Sequence, residues 1–168
     1  MEFKQVITER ETVRKFDGKK PSEEQLKSVL EAGRIAPTAA NCQPQRVYVL
    51  ESEDALKKMD EAHPCRYNAS TVLMVCADKS VALDLNGASS YEVDASIVAT
   101  HMLLSAYNEG VDSVWLGVFE PEKVQKIFEV PKNILPVGVI DLGFRTEDYE
   151  GNPMHSKKNS METMITRM

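Results

Sequence analysis

The sequence of 168 residues contains no long apolar run, and this absence argues against a membrane-spanning helix. A helix that crosses a bilayer needs about 20 consecutive apolar residues. The first residues also lack the apolar stretch of a secretory signal peptide. We therefore expect a cytoplasmic protein without a membrane partner, folded as one domain over residues 1–168, a length that buries a sizeable core.

Cysteine is scarce, since the chain has only Cys42, Cys65 and Cys76. An odd number without CxxC spacing favours a reducing cytoplasm over a disulfide framework. The three histidines show no ligand spacing with Cys, Asp or Glu, so we predict no metal site. Basic residues are outnumbered, with 20 Lys and Arg against 26 Asp and Glu and a net charge of -6. This balance argues against nucleic acid as a partner.

Apolar residues at helical spacing alternate along the chain with β-branched runs, which predicts an α/β or α+β fold. We predict helices over 3–7, 22–33, 92–109 and 121–128, and strands over 46–50, 72–77, 113–119 and 136–143. Ser22 and Gln25 form a capping-box pattern at the second helix, and Gly110 ends the third as a C′ glycine. Residues 78–90 form a candidate lid, and the chain after Phe144 is a polar extension.

Two segments suggest a ligand. Residues 10–16 carry Arg10, Arg14 and Lys15, a cationic cluster suited to a phosphate. Residues 36–45 place Asn41 and Gln43 in a proline-bracketed turn of small residues that can approach a flat molecule closely. Together they predict a phosphorylated planar cofactor. The alternatives are solvated arginines and an ordinary turn that ends a helix.

These segments and two others resemble, in order along nearly the whole chain, the FMN-dependent nitroreductase-like flavoproteins. The matching segments are Arg10-x-Thr12-x-Arg14-x-Phe16, Ala36-Pro37-Thr38-Ala39-Ala40-Asn41-Cys42-Gln43-Pro44, Trp115-Leu116-Gly117-Val118-Phe119, and Leu142-Gly143-Phe144 followed by Lys157-Lys158. The family usually has Ser at the position of Thr12. The chain looks like a short member of the family that keeps only its core.

The resemblance implies a fold and a partner. The fold is α+β, of the α/β-type nitroreductase kind, with a central mixed sheet flanked by helices and a C-terminal extension that wraps a partner subunit. The assembly is a homodimer with two FMN sites at the subunit interface. The helix over 94–104 resembles the family's central dimer helix, which agrees with its apolar character around most of its circumference.

The resemblance also assigns roles at the phosphate end of the cofactor. It gives Arg10 to the FMN phosphate, Arg14 to the pyrimidine edge of the flavin, and the Thr12 hydroxyl to the phosphate or ribityl chain. Lys157 and Lys158 stand where the basic tail meets the phosphate, with Lys158 in place of a more usual Arg. For these lysines, a solvated polar tail is the alternative.

The flavin ring is assigned to main-chain and amide groups. Pro37, Thr38 and Ala39 resemble the segment that a partner subunit lays against the isoalloxazine, and Asn41 and Gln43 match its pyrimidine edge. Leu116, Gly117 and Val118 resemble the strand end whose backbone N–H groups face flavin N5 and O4. Trp115 is predicted to belong to the core. No catalytic side chain is expected, because the flavin carries the chemistry.

The implied activity is that of an FMN-dependent oxidoreductase. A ping-pong cycle would transfer hydride from NADH or NADPH through flavin N5 to a small electron-poor acceptor such as a nitroaromatic or a quinone. No Rossmann fingerprint distinguishes NADH from NADPH. The alternatives are a dehalogenase-like or other non-nitro branch of the family, and a redox-inactive FMN-binding or structural dimer.

Overall fold

The computed structural model describes residues 1–168 and contains helices on both faces of one main sheet. The helices are α1 (Phe3–Glu9), α2 (Glu23–Arg34), α3 (Glu53–Ala62), α4 (Tyr91–Asn108), α5 (Pro121–Ile127) and α6 (Met161–Met164). The strands are β1 (Gln45–Leu50), β2 (Thr71–Asp78), β3 (Asp84–Leu85), β4 (Ala88–Ser89), β5 (Asp112–Leu116) and β6 (Ile134–Gly143). None of the helices combines the length and apolarity needed to cross a bilayer.

The ends of α2 and α4 follow from local sequence. Ser22 Oγ accepts a hydrogen bond from the Gln25 backbone N at 3.2 Å, and Gln25 Oε1 accepts one from the Ser22 backbone N at 2.9 Å. This reciprocal pair confirms the predicted capping box. Gly110 follows α4 with φ of +74°, a left-handed conformation that glycine adopts without steric cost.

The main sheet has the strand order β1-β2-β6-β5, and all its neighbouring strands are antiparallel. The predicted α+β fold with helices flanking a central sheet is confirmed. The sheet is not mixed in the way expected, however, because its only parallel pairing is an isolated bridge between Thr12 and Ser113. Alternation of helices and strands does not fix strand direction, since a connection that contains a helix can also return the chain to the end of the sheet that it left.

The core lies on both faces of the sheet, and β2 is buried along its whole length. Helices α2 and α4 cover one face, where Val29, Val98 and Met102 pack with Leu73 and Leu142. Helices α3 and α5 cover the other face, where Met59 and Val124 pack with Met74 and Val139. In this three-layer arrangement α4 lies in an outer layer and packs against the sheet, and its place in a dimer interface stays a prediction.

A glycine brings α2 and α4 close together. A Cβ on Gly33 would lie 2.8 Å from the Sδ atom of Met102, a separation that real side chains do not tolerate. The two helices can therefore pack at this distance only because position 33 has no side chain.

Three local features differ from the sequence prediction. Helix α3 was not predicted, although Ser52 caps it by accepting a hydrogen bond from the Ala55 backbone N at 3.2 Å. Strand β5 ends at Leu116 and not at Phe119. The candidate lid contains the hairpin of β3 and β4, whose turn residues Asn86 and Gly87 have φ of +56° and +84°. Its function as a lid stays a prediction.

Candidate functional site

The segment after α1 runs beside β5 and carries the predicted phosphate-binding residues. The Val13 backbone N donates to the Ser113 carbonyl O at 3.0 Å, next to the parallel bridge between Thr12 and Ser113. Val13 is completely buried, whereas Arg14 is exposed. Thr12 and Arg14, together with Lys15, line one side of this segment, and Arg10 stands at its beginning as the C-cap of α1.

A cleft of about 480 Å³ adjoins this side. Thr12, Arg14 and Lys15 form one wall, and residues 148–153 of the C-terminal extension form the other. The Tyr149 hydroxyl donates to the Thr12 carbonyl O at 3.2 Å and fixes the two walls together. The volume lies within the range of small-molecule sites, about 300 to 1,000 Å³.

Arg14 lies beside Tyr67, a residue that carries no functional signal in the sequence. Burial raises the pKa of the Tyr67 hydroxyl and a hydrogen bond with Cys65 raises it further, while the Arg14 guanidinium acts in the opposite direction. Tyr67 has φ of +52° and the following Asn68 has φ of +67°. The Tyr67 carbonyl O accepts from the Phe16 backbone N at 3.1 Å, which ties this strained turn to the arginine segment.

The loop over residues 37–43 has an unusual backbone conformation. Ala40, Asn41 and Gln43 have φ of +48°, +54° and +51°, conformations that cost free energy for residues with a side chain. The Thr38 hydroxyl O accepts from the Gln43 backbone N at 3.0 Å. Pro37, Asn41 and Gln43 are exposed. The loop thus holds a strained backbone and presents two amide side chains to solvent.

Asp94 anchors this loop to the first turn of α4. Its Oδ1 atom accepts from the Ala39 backbone N at 2.8 Å, and its Oδ2 atom accepts from the Ser90 hydroxyl at 2.7 Å. The Asp94 side chain is buried. We did not predict this contact from the sequence. The signal for it was a carboxylate at helical spacing in line with Val98 and Met102, on a face that is otherwise apolar.

The end of β5 carries the residues that were predicted to face flavin N5 and O4. Gly117 and Val118 are exposed, with Val118 90% accessible, while Leu116 is half-buried. The Trp115 ring packs against the core, as predicted, and a Cβ on Gly138 would meet it at 2.1 Å. A Cβ on Gly117 would lie 3.1 Å from the Trp115 Nε1 atom, so close packing of the indole is itself one reason for glycine at 117.

The C-terminal extension returns to the beginning of the chain. The His155 Nε2 atom lies 2.9 Å from the Thr8 carbonyl O, near the end of α1. The Lys158 Nζ atom donates to the His155 carbonyl O, and both Lys157 and Lys158 are exposed. The structure therefore brings the tail to the last turn of α1, directly before Arg10.

The predicted site residues fall into two groups within one chain. The segment over 10–14 and the tail meet, since the tail hydrogen-bonds with Thr12 and with Thr8, and the segment also pairs with β5 at Ser113. The loop over 37–43 does not join them, because none of its hydrogen bonds reaches residues 10–14. Elsewhere, no cluster of three or more His, Cys, Asp or Glu side chains is arranged to hold a metal ion.

Comparison with known sequences identifies relatives along most of the chain. The model of the nitroreductase family matches residues 7–66 and 63–144. An Archaeoglobus fulgidus protein with the provisional name NADH dehydrogenase/NAD(P)H nitroreductase is 31% identical over 150 residues, which cover 85% of each chain. A Bacillus subtilis protein named NAD(P)H-dependent FMN reductase is 26% identical, over 96% of this chain and 74% of the relative.

Solved structures share the fold. A nitroreductase family protein from Clostridium difficile superposes with a TM-score of 0.92 at 30% identity, over 99% of this chain and 98% of the other. A protein from Exiguobacterium sibiricum, provisionally named a nitroreductase and crystallised with FMN, superposes with a TM-score of 0.88. This second alignment covers 100% of this chain and 98% of the other at 19% identity, so it supports the fold alone.

Proposed function

Because the chain belongs to the nitroreductase family, we propose that it is an NAD(P)H-dependent oxidoreductase that holds FMN beside the segment of residues 10–14. The observation that carries this proposal is the cleft lined by Thr12 and Arg14, on a segment that follows Arg10 and is fixed to β5. The E. sibiricum structure contains FMN and the B. subtilis relative is named an FMN reductase. The name of the B. subtilis relative supports FMN as the cofactor of this chain, and the E. sibiricum structure shows that a protein of this fold can hold FMN.

The chemistry of the donor set fits FMN. Arg10 and Arg14 offer guanidinium forks, Thr12 a hydroxyl, and Lys157 and Lys158 ammonium groups, all of which donate to an anionic phosphate or to carbonyl oxygens of the flavin. Arg10 and Arg14 lie four residues apart, and the tail that carries the two lysines returns to the last turn of α1, on a chain whose net charge is -6. A phosphorylated ligand is therefore the partner that this surface suits best.

When bound, FMN supplies hydride transfer from NADH or NADPH to an electron-poor acceptor, such as a nitroaromatic or a quinone, in two half-reactions. The chain's own part is to bind and orient. A fixed Arg14 guanidinium at the pyrimidine edge would favour negative charge there and so raise the flavin potential. Arg10 and the tail lysines would hold the phosphate, with Lys158 acting as a point charge without Arg's fork.

We propose that the working assembly is a homodimer. The loop over 37–43 is strained and exposed, yet makes no hydrogen bond to the arginine segment of its own chain. In a dimer it would cover the flavin held by the partner copy. Large apolar side chains that are exposed in one chain support an interface, among them Phe3, Ile7 and Val93. The exposed Met161 and Met164 of α6 likewise favour a tail that wraps the partner.

The test is anaerobic spectroscopy of the purified protein. We expect a yellow protein whose visible flavin band bleaches on addition of NADH or NADPH and returns with an acceptor. Arg14→Ala should release FMN or lower the flavin potential, whereas Arg34→Ala, in an exposed ion pair of α2, should do neither. Colour without bleaching would support a redox-inactive FMN-binding protein, and turnover only with a halogenated or other non-nitro acceptor would support a different branch of the family.

A further inference from the structure

Arg145 joins three separate parts of the chain directly after β6. Its Nη1 atom donates to Glu11 Oε1 at 2.7 Å, and its Nε atom donates to Asp112 Oδ1 at 3.0 Å. Glu11 lies in the arginine segment and Asp112 begins β5. The Arg145 backbone N also donates to Asp112 Oδ2 at 2.8 Å. One guanidinium thus fastens the segment that carries Arg10 and Arg14 to the sheet.

The same cluster holds the C-terminal extension. The Arg145 guanidinium carbon lies 5.0 Å from the centroid of the Tyr149 ring, within the distance of a cation–π contact. The Asn152 backbone N donates to Glu11 Oε2 at 2.8 Å. Glu11 therefore accepts from Arg145 with one oxygen and from the extension with the other, and the extension forms one wall of the candidate cleft.

The Arg145 guanidinium neutralises the charges of the two carboxylates. The side chains of Glu11 and Asp112 are each only 12% exposed. The hydrogen bonds from Arg145 to Asp112, and then to Glu11, raise the pKa of Arg145 against the opposing effect of burial, so it stays charged. Without Arg145, two poorly solvated negative charges would stand unpaired beside the proposed phosphate site.

We propose that Arg145 is the positioning residue of the cofactor site: through Glu11 it sets where Arg10 and Arg14 stand, and it neutralises the carboxylates that would repel a phosphate. Arg145 does not itself touch the cofactor. This proposal rests on the proposed function. It predicts that a change at Arg145 weakens the binding of FMN more than the binding of riboflavin. The reason is that FMN carries a phosphate and riboflavin does not.

The experiment compares variants by flavin affinity. Arg145→Met removes the charge at similar length, and Arg145→Lys keeps the charge but cannot fork between two carboxylates. Arg34→Met is the matched control, because Arg34 also pairs with a carboxylate, Glu31 at 2.6 Å, but on the exposed surface of α2. For each protein we would titrate FMN and riboflavin, and measure the flavin midpoint potential and the urea midpoint of unfolding.

We expect Arg145→Met to bind FMN about tenfold more weakly and to lose most of the preference for FMN over riboflavin, with Arg145→Lys in between and Arg34→Met unchanged. Adding Glu11→Gln to Arg145→Met should restore part of the FMN affinity, since the introduced amide oxygen can still accept from the Asn152 backbone N but carries no charge. A purely structural role would weaken both flavins equally and leave their ratio unchanged.

The experiment distinguishes a failure of the proposed function from a failure of the proposed role of Arg145. If the wild-type protein does not bind FMN, the proposed function fails. If the wild type binds FMN and Arg145→Met keeps the wild-type ratio of FMN to riboflavin affinity, the role of Arg145 is overturned. If Arg145→Met does not fold, the same ratio measured on Arg145→Lys decides, and a wild-type ratio there overturns the proposal.

Discussion

A buried carboxyl in the sheet makes the stability of the fold depend on pH. Asp141 of β6 is 1% exposed, and neither of its carboxyl oxygens has a hydrogen-bond partner. Its neighbours Ile140 and Leu142 point into the cluster under α2 and α4, so Asp141 points to the other face of the sheet. Burial raises the pKa of Asp141 from 3.8 to about 8, with Arg66 opposing the shift and Asp60 adding to it.

The sign follows from proton binding. Between the ordinary pKa of 3.8 and the folded pKa of about 8, the folded state keeps a proton that the unfolded state has lost. The free energy of unfolding therefore falls as the pH rises through this window, by about 1.4 kcal/mol per pH unit. Across the whole window the loss is on the order of 5 kcal/mol, and above the folded pKa this group causes no further change.

The substitution that isolates this effect is Asp141→Asn. Asparagine has nearly the shape of a protonated aspartate and does not titrate, so the variant should match the wild type near pH 4 and become more stable by about 4 kcal/mol near pH 7. The assay is urea unfolding in steps of pH, at one protein concentration, followed by the fluorescence of Trp115, the single tryptophan. Every other titrating group is common to both proteins, and cancels in the difference.

A second variant tests the cause of the shift. Asp60 holds Arg66 through hydrogen bonds of 2.7 and 2.8 Å. Asp60→Asn removes a negative charge and weakens the hold on Arg66, so the pKa of Asp141 should fall and the pH window over which stability is lost should become narrower, at the same slope. Parallel pH profiles for the wild type and Asp141→Asn would refute the assignment of a buried neutral carboxyl to this position.

Three further predictions concern packing, the loop and the tail. Gly138→Ala should lower the free energy of unfolding by about 2 kcal/mol, because its Cβ would meet the Trp115 ring at 2.1 Å; an unchanged urea midpoint would contradict this packing. Asp94→Ala should weaken FMN binding about tenfold through loss of the charge-assisted bond to Ala39, and equal affinity in a flavin titration would show that the loop needs no anchor. Deletion from Gly151 onward should impair dimer formation or flavin retention, so a truncated yellow dimer of normal stability would make the tail dispensable.

Local signals in the sequence predicted much of the fold. The Ser22 and Gln25 pair, Gly110 and Pro121 each mark a helix end through contacts within a few residues, and the structure places the ends of α2, α4 and α5 there. Ser52 carries a similar signal for α3, which we did not use. Strand order and direction depend on pairing between distant residues, such as Val75 with Gly138, and no local pattern specifies them.

The candidate site was predictable only where residue type alone suggests chemistry. The cluster of Arg10 and Arg14 stands out by charge, and resemblance to the family suggests the ligand that we propose for it. Tyr67, Asp94 and Arg145 act through partners that are distant in sequence, and their spacing to those partners follows no motif. For Asp94 the only signal in the sequence is a lone carboxylate on an apolar helix face, and for Tyr67 and Arg145 the contacts with the arginine segment are visible only in the structure.

The most direct test of the account is sedimentation velocity of the protein with added FMN, followed at the visible flavin band. We predict that the yellow material sediments as a dimer with one FMN for each chain, and that Arg14→Ala sediments with less colour. A colourless monomer in the presence of excess FMN, with all the flavin left in solution, would contradict the claim that two copies of this chain hold the cofactor between them.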